Sequence, residues 1–308
     1  MPVSGSAADP STARSIDVAI VTWNTRETTL AALDAVYAVA PPGTRVLLRD
    51  NGSSDGTAEA IAAAYPAVEL DAGSENLGFA GGINTILRRS TAPWVMLLNS
   101  DAWPEPGTLE QMMACAERHP RAAAVTPTLL RPDGSREVSG WPFPSIRVTL
   151  ASGRAGYDAF RDHDTEHAVD WAVGAAVLLR RAAIEEIGGL DESLFMYAED
   201  LEWCWRAHDA GWETWLAPDA VVRHVGNASG AQRYGARQPA AWIPNSVIVY
   251  RRRHGALATR LWQLTNAFGA VRAGRRARRR HDATRSAQFR VQAQAWLRPR
   301  EFSDDGRA

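Results

Sequence analysis

Strand-like and helix-like segments alternate through the first hundred residues, and this alternation restricts the fold more than any other feature of the chain. Ile16 to Thr22 (IDVAIVT) is apolar and β-branched, as a buried strand is. Thr28 to Ala40 carries Leu30, Leu33, Val36 and Tyr37 at helical spacing and stops at Pro41-Pro42. Arg45 to Arg49 reads as a strand, Thr57 to Tyr65 as an alanine-rich helix, and Val68 to Leu70 as a short strand. Ala80 to Arg89 reads as a helix and Pro93 to Leu98 as a buried strand. Strands separated by helices predict an α/β fold with a mostly parallel sheet and right-handed crossovers. Ligands of such sheets bind beyond the carboxyl ends of the strands.

After Asp101 the pattern loosens. A helix is predicted over Gly107 to Arg118, a strand over Ala122 to Thr126, and a turn at Arg131-Pro132-Asp133-Gly134. Residues 139–168 are rich in Pro, Gly and Asp and read as a long loop. Trp171 to Leu179 is the longest apolar run, read as one buried strand, and Tyr197 to Ala210 reads as a helix. No internal repeat is visible.

Every one of the 34 basic residues is arginine. A chain without lysine excludes phosphate loops of the Walker type, pyridoxal and Schiff-base enzymes, protein kinases and Ser-x-x-Lys acyl enzymes. Cys115 and Cys204 lie in apolar helical patterns and read as inert buried thiols, with no disulfide framework. Residues 1–15 are small and polar and are expected to be disordered; they carry no signal-peptide pattern, so a cytoplasmic location is expected.

The formal charge of -1 conceals an uneven distribution. Residues 251–300 hold fourteen arginines and one acid, Asp282, which leaves twenty arginines and thirty-four acids elsewhere. Within this tail, Leu257, Leu261, Leu264, Phe268 and Val271 recur at helical spacing and are followed by Arg275, Arg276, Arg278, Arg279 and Arg280.

Four clusters fall at or beyond strand ends. In Asp50-Asn51-Gly52-Ser53-Ser54-Asp55-Gly56-Thr57, Asp50 points into the crevice and suits a base N–H, while Asp55 or Thr57 suits a helix cap. In Asn76-Leu77-Gly78-Phe79-Ala80-Gly81-Gly82-Ile83-Asn84, the glycines suit either close phosphate approach or a tight turn. Asn99-Ser100-Asp101 suits either a divalent-metal ligand or an Asx turn. Glu199, Asp200 and Glu202 open a helix, where acids favour the macrodipole; with Tyr197, Trp203, Trp205, Trp212 and Trp215 they also describe a sugar site holding a desolvated base. His224, after a strand, is open to a structural or a metal-binding role.

In this order the motifs IDVAIVTWN, DNGSSDGT, NLGFAGGIN, LLNSDA, GAAVLLRR and GGLDESLFMYAEDLEWCWRAHDAGW resemble the family 2 inverting glycosyltransferases, in particular a bacterial rhamnosyltransferase-like branch. The resemblance spans about Ile16 to Gly230. It implies a GT-A fold: a Rossmann-like, mostly parallel sheet flanked by helices, here with a C-terminal helical extension. Residues 16–101 would form the nucleotide-sugar-binding half, 102–250 the metal, acceptor and catalytic half, and 251–308 a basic amphipathic tail. Thr22, Asn24, Asp50, Asn76, Gly78, Gly81, Gly82, Asn84, Asn99 and Asp101 would line the nucleotide-sugar pocket. Asp101 and His224 would hold a divalent cation, Mg2+ or Mn2+. Asp200, paired with Glu199, would be the catalytic base, and Trp171, Gly174, Trp203 and Arg206 would shape the acceptor and sugar pocket.

One departure stands out. The first acid of the family's D-x-D motif is Asn99, a neutral and weaker metal ligand, so metal dependence is less secure than the fold. The Q-x-x-R-W motif of processive synthases is absent, which implies single sugar addition. The resemblance further implies a nucleoside diphosphate sugar donor, thymidine diphosphate (dTDP) rhamnose by analogy or a UDP sugar as the alternative, and a glycan or lipid-linked acceptor of the cell envelope. The tail either lies on an anionic membrane at the inner face or packs its apolar stripe on the body. The acidic body disfavours nucleic acid, and a homodimer is left open. The competing classes are a sugar nucleotidyltransferase, which lacks its lysine here, and a non-catalytic carbohydrate-binding or scaffold protein.

Overall fold

The computed structural model describes residues 15–155, 164–226 and 233–303, so the expected disordered N-terminus lies almost wholly outside it. Strand β1 (Ile16–Thr22) is buried at every position but Val21, as an interior strand covered on both faces must be. Strands β2 (Arg45–Asn51) and β4 (Trp94–Asn99) flank it in parallel, and β3 (Glu69–Gly73) adds to β2. Helices α1 (Arg26–Val39), α2 (Thr57–Ala64) and α3 (Gly78–Arg89) make the crossovers.

The period-two geometry of strands sorts the core into two layers. Val18, Ile20 and Leu48 meet Leu33, Val36 and Ile61 of α1 and α2 on one face. Ala19, Leu47 and Leu97 meet Ile83, Ile86 and Leu87 of α3 on the other.

The second half continues through β5 (Ala102–Pro104), α4 (Thr108–Arg118), β6 (Ala122–Leu130), β7 (Arg136–Glu137) and β8 (Gly140–Trp141). It goes on through α5 (Ile146–Ala155), β9 (His167–Val169), β10 (Trp171–Ala172), β11 (Ala176–Arg180) and α6 (Arg181–Ile187). Helix α7 (Glu199–Asp209) and β12 (Glu213–His224) complete the body. The main sheet runs β3-β2-β1-β4-β11-β6-β12-β5, with β11 antiparallel to its neighbours β4 and β6.

Two expectations change. The run Trp171 to Leu179 is not one strand: β10 pairs with β8, β11 joins the main sheet, and residues 173–175 cross between them. The 139–168 stretch is not all loop, because α5 forms where the tail offers it a partner. Trp262 and Asn266 donate to Thr149 on α5, at 3.2 and 3.3 Å.

The tail is a hairpin of α8 (Ile243–Arg279) and α9 (Ala283–Leu297). Gly255, at φ 77°, breaks α8 into two arms, a left-handed geometry that costs glycine little. The first arm packs Ile243, Val247 and Tyr250 against Leu194 and against Leu201 and Trp205 of α7. Arg252 and Arg253 pair with Asp191 and Asp209, at 2.6 and 2.5 Å. The second arm buries Trp262 and Gln263 against α9 and leaves the Leu257 to Val271 stripe exposed. The alternative in which that stripe packs on the body is therefore excluded. Among the described residues no helix is long and apolar enough to cross a membrane.

Candidate active site

Parallel register aligns the carboxyl ends of the first strands. Thr22 lies beside Asp50, and Val21 beside Asn99. The Thr22 hydroxyl faces inward, 2.9 and 2.8 Å from the hydroxyls of Thr25 and Thr29, and Thr25 reaches Ser100 at 3.0 Å. This chain of hydroxyls ties the end of β1 to the loop that carries Asp101.

Asn24 and Asp50 staple two loops together. The Asn24 N–H donates to Ser53 Oγ at 2.8 Å, and its Oδ1 accepts from the Ser54 N–H at 2.7 Å. Asp50 Oδ1 accepts from the backbone N–H and hydroxyl of Ser53, at 3.1 and 2.5 Å. The cap position of α2 falls on Gly56, at φ 79°, and not on Asp55 or Thr57; Asp55 instead forms an Asx turn just before it, accepting from the Thr57 N–H at 3.1 Å. Asn51, which the sequence reading passed over, donates to Gly78 O at 2.9 Å and to Asn76 Oδ1 at 3.3 Å. Its place at a strand end beside Asp50 was the available signal.

The glycine cluster allows close approach. Gly78 sits at φ 72°, and a Cβ there would lie 2.1 Å from the carbonyl oxygen of Phe195. A Cβ on Gly82 would lie 2.9 Å from the Val21 methyls, and one on Gly81 2.9 Å from Leu77 Cβ. The N-terminus of α3 is thereby pressed against β1 and the segment leading to α7. Asn84, expected in the nucleotide-sugar pocket, instead spends its amide elsewhere. It donates to Leu190 O and Glu192 Oε1 and accepts from the Leu190 N–H, all at 2.9 Å.

On the other side of the crevice, the end of β12 pairs with the start of β5, which sets His224 beside Ala102 and close to Asp101. His224 Nε2 lies 3.5 Å from Asp101 Oδ1 and makes no hydrogen bond among the described residues. The other ring nitrogen, Nδ1, lies 3.1 Å from Glu137 Oε2 on β7. Burial alone would lower this imidazole, but Asp101 and Glu137 reverse that and raise it to about 9. Once its proton is lost, this buried imidazole nitrogen beside a carboxylate fits a divalent cation, whose adjacent octahedral ligands stand about 3 Å apart, so cation binding there would displace a proton. The carboxylate behind the imidazole is the arrangement that orients metal-bound histidines. Nothing in the spacing of Glu137 and His224 marked them as partners.

A different cluster, Cys115, His119 and Glu166, also gathers ligand-type atoms, but Arg118 pairs with Glu166 there. Both cysteines are buried, with thiols pushed up to about 12 by burial, which matches the inert reading.

Helix α7 begins after Tyr197 and Ala198, both left-handed at φ 72° and 67°. Such residues cost roughly 1–2 kcal/mol each without glycine. This turn sets Asp200 at the head of the helix. Asp200 Oδ2 accepts from the Gly174 N–H at 2.9 Å, and Oδ1 from the Leu201 N–H at 2.7 Å. The neighbouring Ala175 O accepts from the Asn99 N–H at 2.9 Å, so residues 174–175 bridge Asp200 and the Asn99–Asp101 loop. The break between β10 and β11 thus frees the N–H that orients Asp200.

Burial pushes Asp200 up to about 6, against the pull of the Gly174 and Leu201 N–H groups. Burial and the adjacent Asp200 charge hold Glu199 well above the carboxylate range, and its Oε2 has no hydrogen-bond partner among the described residues. Glu199 is therefore the neutral member of the pair. Asp200 is ionised at neutral pH yet basic enough to take a proton. Tyr197 is pushed up to about 12, first by burial and then by the neighbouring acidic groups, Asp101 among them.

Two pocket assignments are corrected. Trp203 is buried in the core and donates to Gly188 O at 2.9 Å. Arg206 binds Glu202 at 2.8 Å and the carbonyls of Ile187 and Gly189. Each three-residue step along a helix turns about 60° away, so positions 203 and 206 leave the face that presents Asp200. Trp205 and Trp212 are also buried, and Trp215 stacks on His119 with ring centroids 3.3 Å apart. Trp171 is half-buried; it donates to Pro142 O at 3.2 Å and stacks on Trp141.

A mixed sheet wound on both faces, with an Asx-rich loop, an imidazole and a separate half-buried carboxylate around its carboxyl edge, is consistent with a glycosyltransferase of the GT-A fold. The chain belongs to the family described as glycosyltransferase like family 2, whose model matches residues 13–245. It is 32% identical over 232 residues to N-acetylglucosaminyl-diphospho-decaprenol L-rhamnosyltransferase of Mycobacterium tuberculosis, covering 68% of this chain and 75% of that protein. It is 26% identical over 265 residues to glycosyltransferase AglE of Haloferax volcanii, covering 81% and 80%. The fold matches mannosyltransferase PcManGT of Pyrobaculum calidifontis, solved with GDP-mannose and Mn2+, with a TM-score of 0.59 and 19% identity over 92% of this chain and 87% of that one.

Proposed function

We propose that this glycosyltransferase moves a single sugar, with inversion, from a nucleoside diphosphate sugar to a hydroxyl of a glycan or lipid-linked acceptor. The observation that carries the reading is Asp200: a partly open carboxylate raised to about 6 and aimed by two backbone N–H groups. Residues 16–101 bind the donor and bring Asp101 to the cation site, 102–250 supply His224, the acceptor site and the base, and 251–308 form an accessory tail.

Asp200 takes the proton of the acceptor hydroxyl. That oxygen then bonds to the anomeric carbon from the face opposite the leaving group. The old carbon–oxygen bond breaks, and its electron pair leaves with the nucleoside diphosphate. A positioned base of this kind contributes about 10²–10⁴-fold. The Gly174 and Leu201 N–H groups hold the carboxylate in one orientation, and neutral Glu199 spares it a second adjacent charge.

Asp101 and His224 would hold a divalent cation, Mg2+ or Mn2+, with Glu137 orienting His224. Such an ion, when bound, offsets the charge of the departing diphosphate. The Mn2+ solved with PcManGT supports this, while Asn99 leaves the chain one carboxylate short of D-x-D. Without lysine, phosphate binding falls to the cation, backbone N–H groups and arginine.

The donor assignment is dTDP-rhamnose, its sugar supported by the mycobacterial L-rhamnosyltransferase and its nucleotide by analogy; a UDP-linked galactofuranose, glucose or N-acetylglucosamine is the alternative. Thermal-shift titration with thymidine, uridine and guanosine diphosphates, with and without Mn2+, tests it. The expected result is the largest shift with thymidine diphosphate plus Mn2+. A clear preference for the guanosine nucleotide would overturn both donors.

A further inference from the structure

We propose that the outer face of the second arm of α8 is a docking surface for an anionic lipid bilayer. Leu257, Leu261, Leu264, Phe268 and Val271 form one line on that arm and are all exposed, Leu257 by 77% and Phe268 by 62%. The line is about 21 Å long at 1.5 Å per residue.

The arm is not free to roll and hide this line. Its opposite face is fixed: Gln263 donates to Trp296 O at 3.0 Å, Trp262 donates to Thr149 at 3.2 Å, and Ala267, Ala270 and Ala277 are buried. A stripe of large apolar side chains held outward by packing on the other side is a surface that awaits a partner.

Charge selects the partner. The same helical line continues past Val271 into Arg275 and Arg279, with Arg260 and Arg272 on its flanks. These four, and Arg276, Arg278 and Arg280, make no ion pair among the described residues. Asp282, the acid nearest them in the hairpin, caps α9 by accepting from the Arg285 N–H at 2.9 Å. A second copy laid on this stripe would bring arginine against arginine in either direction, with no carboxylate to meet it. An anionic bilayer receives both parts, acyl chains against the stripe and headgroup phosphates against the guanidinium groups.

The first arm of α8 rests on the segment that carries Asp200, through Leu194, Leu201 and Trp205. The Tyr250–Trp262 stack, with ring centroids 4.2 Å apart, ties the second arm to the first, so a bilayer held there lies on an element that packs against the helix carrying Asp200. The inference does not depend on which donor or acceptor is used.

Co-sedimentation of the full chain with phosphatidylcholine vesicles, with and without phosphatidylglycerol, tests it at about 0.1 M salt, where surface charge is only partly screened. Binding to the anionic vesicles is expected, and weaker binding to phosphatidylcholine alone. Leu261→Asp with Phe268→Asp should abolish it. Arg275→Gln, Arg276→Gln and Arg279→Gln together should weaken anionic binding roughly 100-fold, at about fivefold per arginine. All five side chains are exposed, so thermal midpoints and nucleoside diphosphate binding should stay at wild-type values, which separates this outcome from a failed donor site. The proposal falls if the wild type does not sediment with anionic vesicles, or if both variants bind as it does. A dimer in light scattering that the Leu261→Asp, Phe268→Asp variant dissociates would assign the stripe to a protein interface instead.

Discussion

Replacing Asp200 by asparagine keeps the shape of the side chain and removes its charge. The carboxyl is raised from 3.8 to about 6 by burial. That is roughly two units, or about 3 kcal/mol of penalty on the ionised folded form. The sign follows from the order of ionisation. As pH rises, the unfolded chain loses this proton near 3.8 and the folded protein only near 6. Wild-type stability from this group is therefore complete below about pH 4 and declines through about pH 6. Asparagine has no such decline. Its single oxygen satisfies only one of the Gly174 and Leu201 N–H groups, and the orphaned donor costs about 1–3 kcal/mol. The two effects roughly offset above pH 7, so Asp200→Asn should fold. Relative to the wild type, its stability should shift by about 3 kcal/mol in the mutant's favour between pH 4 and pH 8. Turnover should drop about 10²–10⁴-fold with nucleotide affinity nearly unchanged. Steady-state kinetics, calorimetric nucleotide binding and melts at both pH values read the three quantities. Wild-type-like turnover would refute the base assignment, and a pH-independent stability difference would refute the burial argument.

The wild-type rate should also fall below pH 6 with an acid limb near the Asp200 value, read from kcat against pH. His224→Ala should remove the thermal stabilisation by Mn2+, and Glu137→Gln should weaken Mn2+ binding about 10–100-fold while leaving the fold intact, both read from melts against Mn2+. Gly174→Ala meets only ordinary contacts, its Cβ 3.5 Å from Asp200 Oδ2, and should keep most activity. Gly174→Pro removes the N–H donor and should lower kcat more than KM. Arg206→Met strands Glu202 and the carbonyls of Ile187 and Gly189, so it should destabilise by about 3 kcal/mol in denaturant melts with little change in acceptor KM.

Features with local causes were legible in the sequence. Strand β1 falls on Ile16–Thr22 as its β-branched pattern requires, and Asp55 forms an Asx turn at the start of α2 as Asx chemistry allows. The acidic pair was locatable because it opens a helix beyond a strand, and its raised proton affinity follows from apolar neighbours. The roles of Trp203, Arg206 and Asn84 were misread because their partners lie in the 187–192 turn, and only helix phase decides which way each side chain points. The Glu137–His224 contact joins residues 87 positions apart and has no local signature.

The sequence by itself determined the alternating layers, the family, the acids available for chemistry and the uneven charge of the tail. Each of these is a matter of composition, period and order. Tertiary structure alone decided three things: the break at residues 173–175 that turns an N–H onto Asp200, the carboxylate behind His224, and the outward facing of the Leu257 to Val271 stripe. The reason is the same for all three. Each depends on which distant segment arrives to compete for the same atoms or surface, and for the stripe it was α9 and α5 that took the opposite face of the helix.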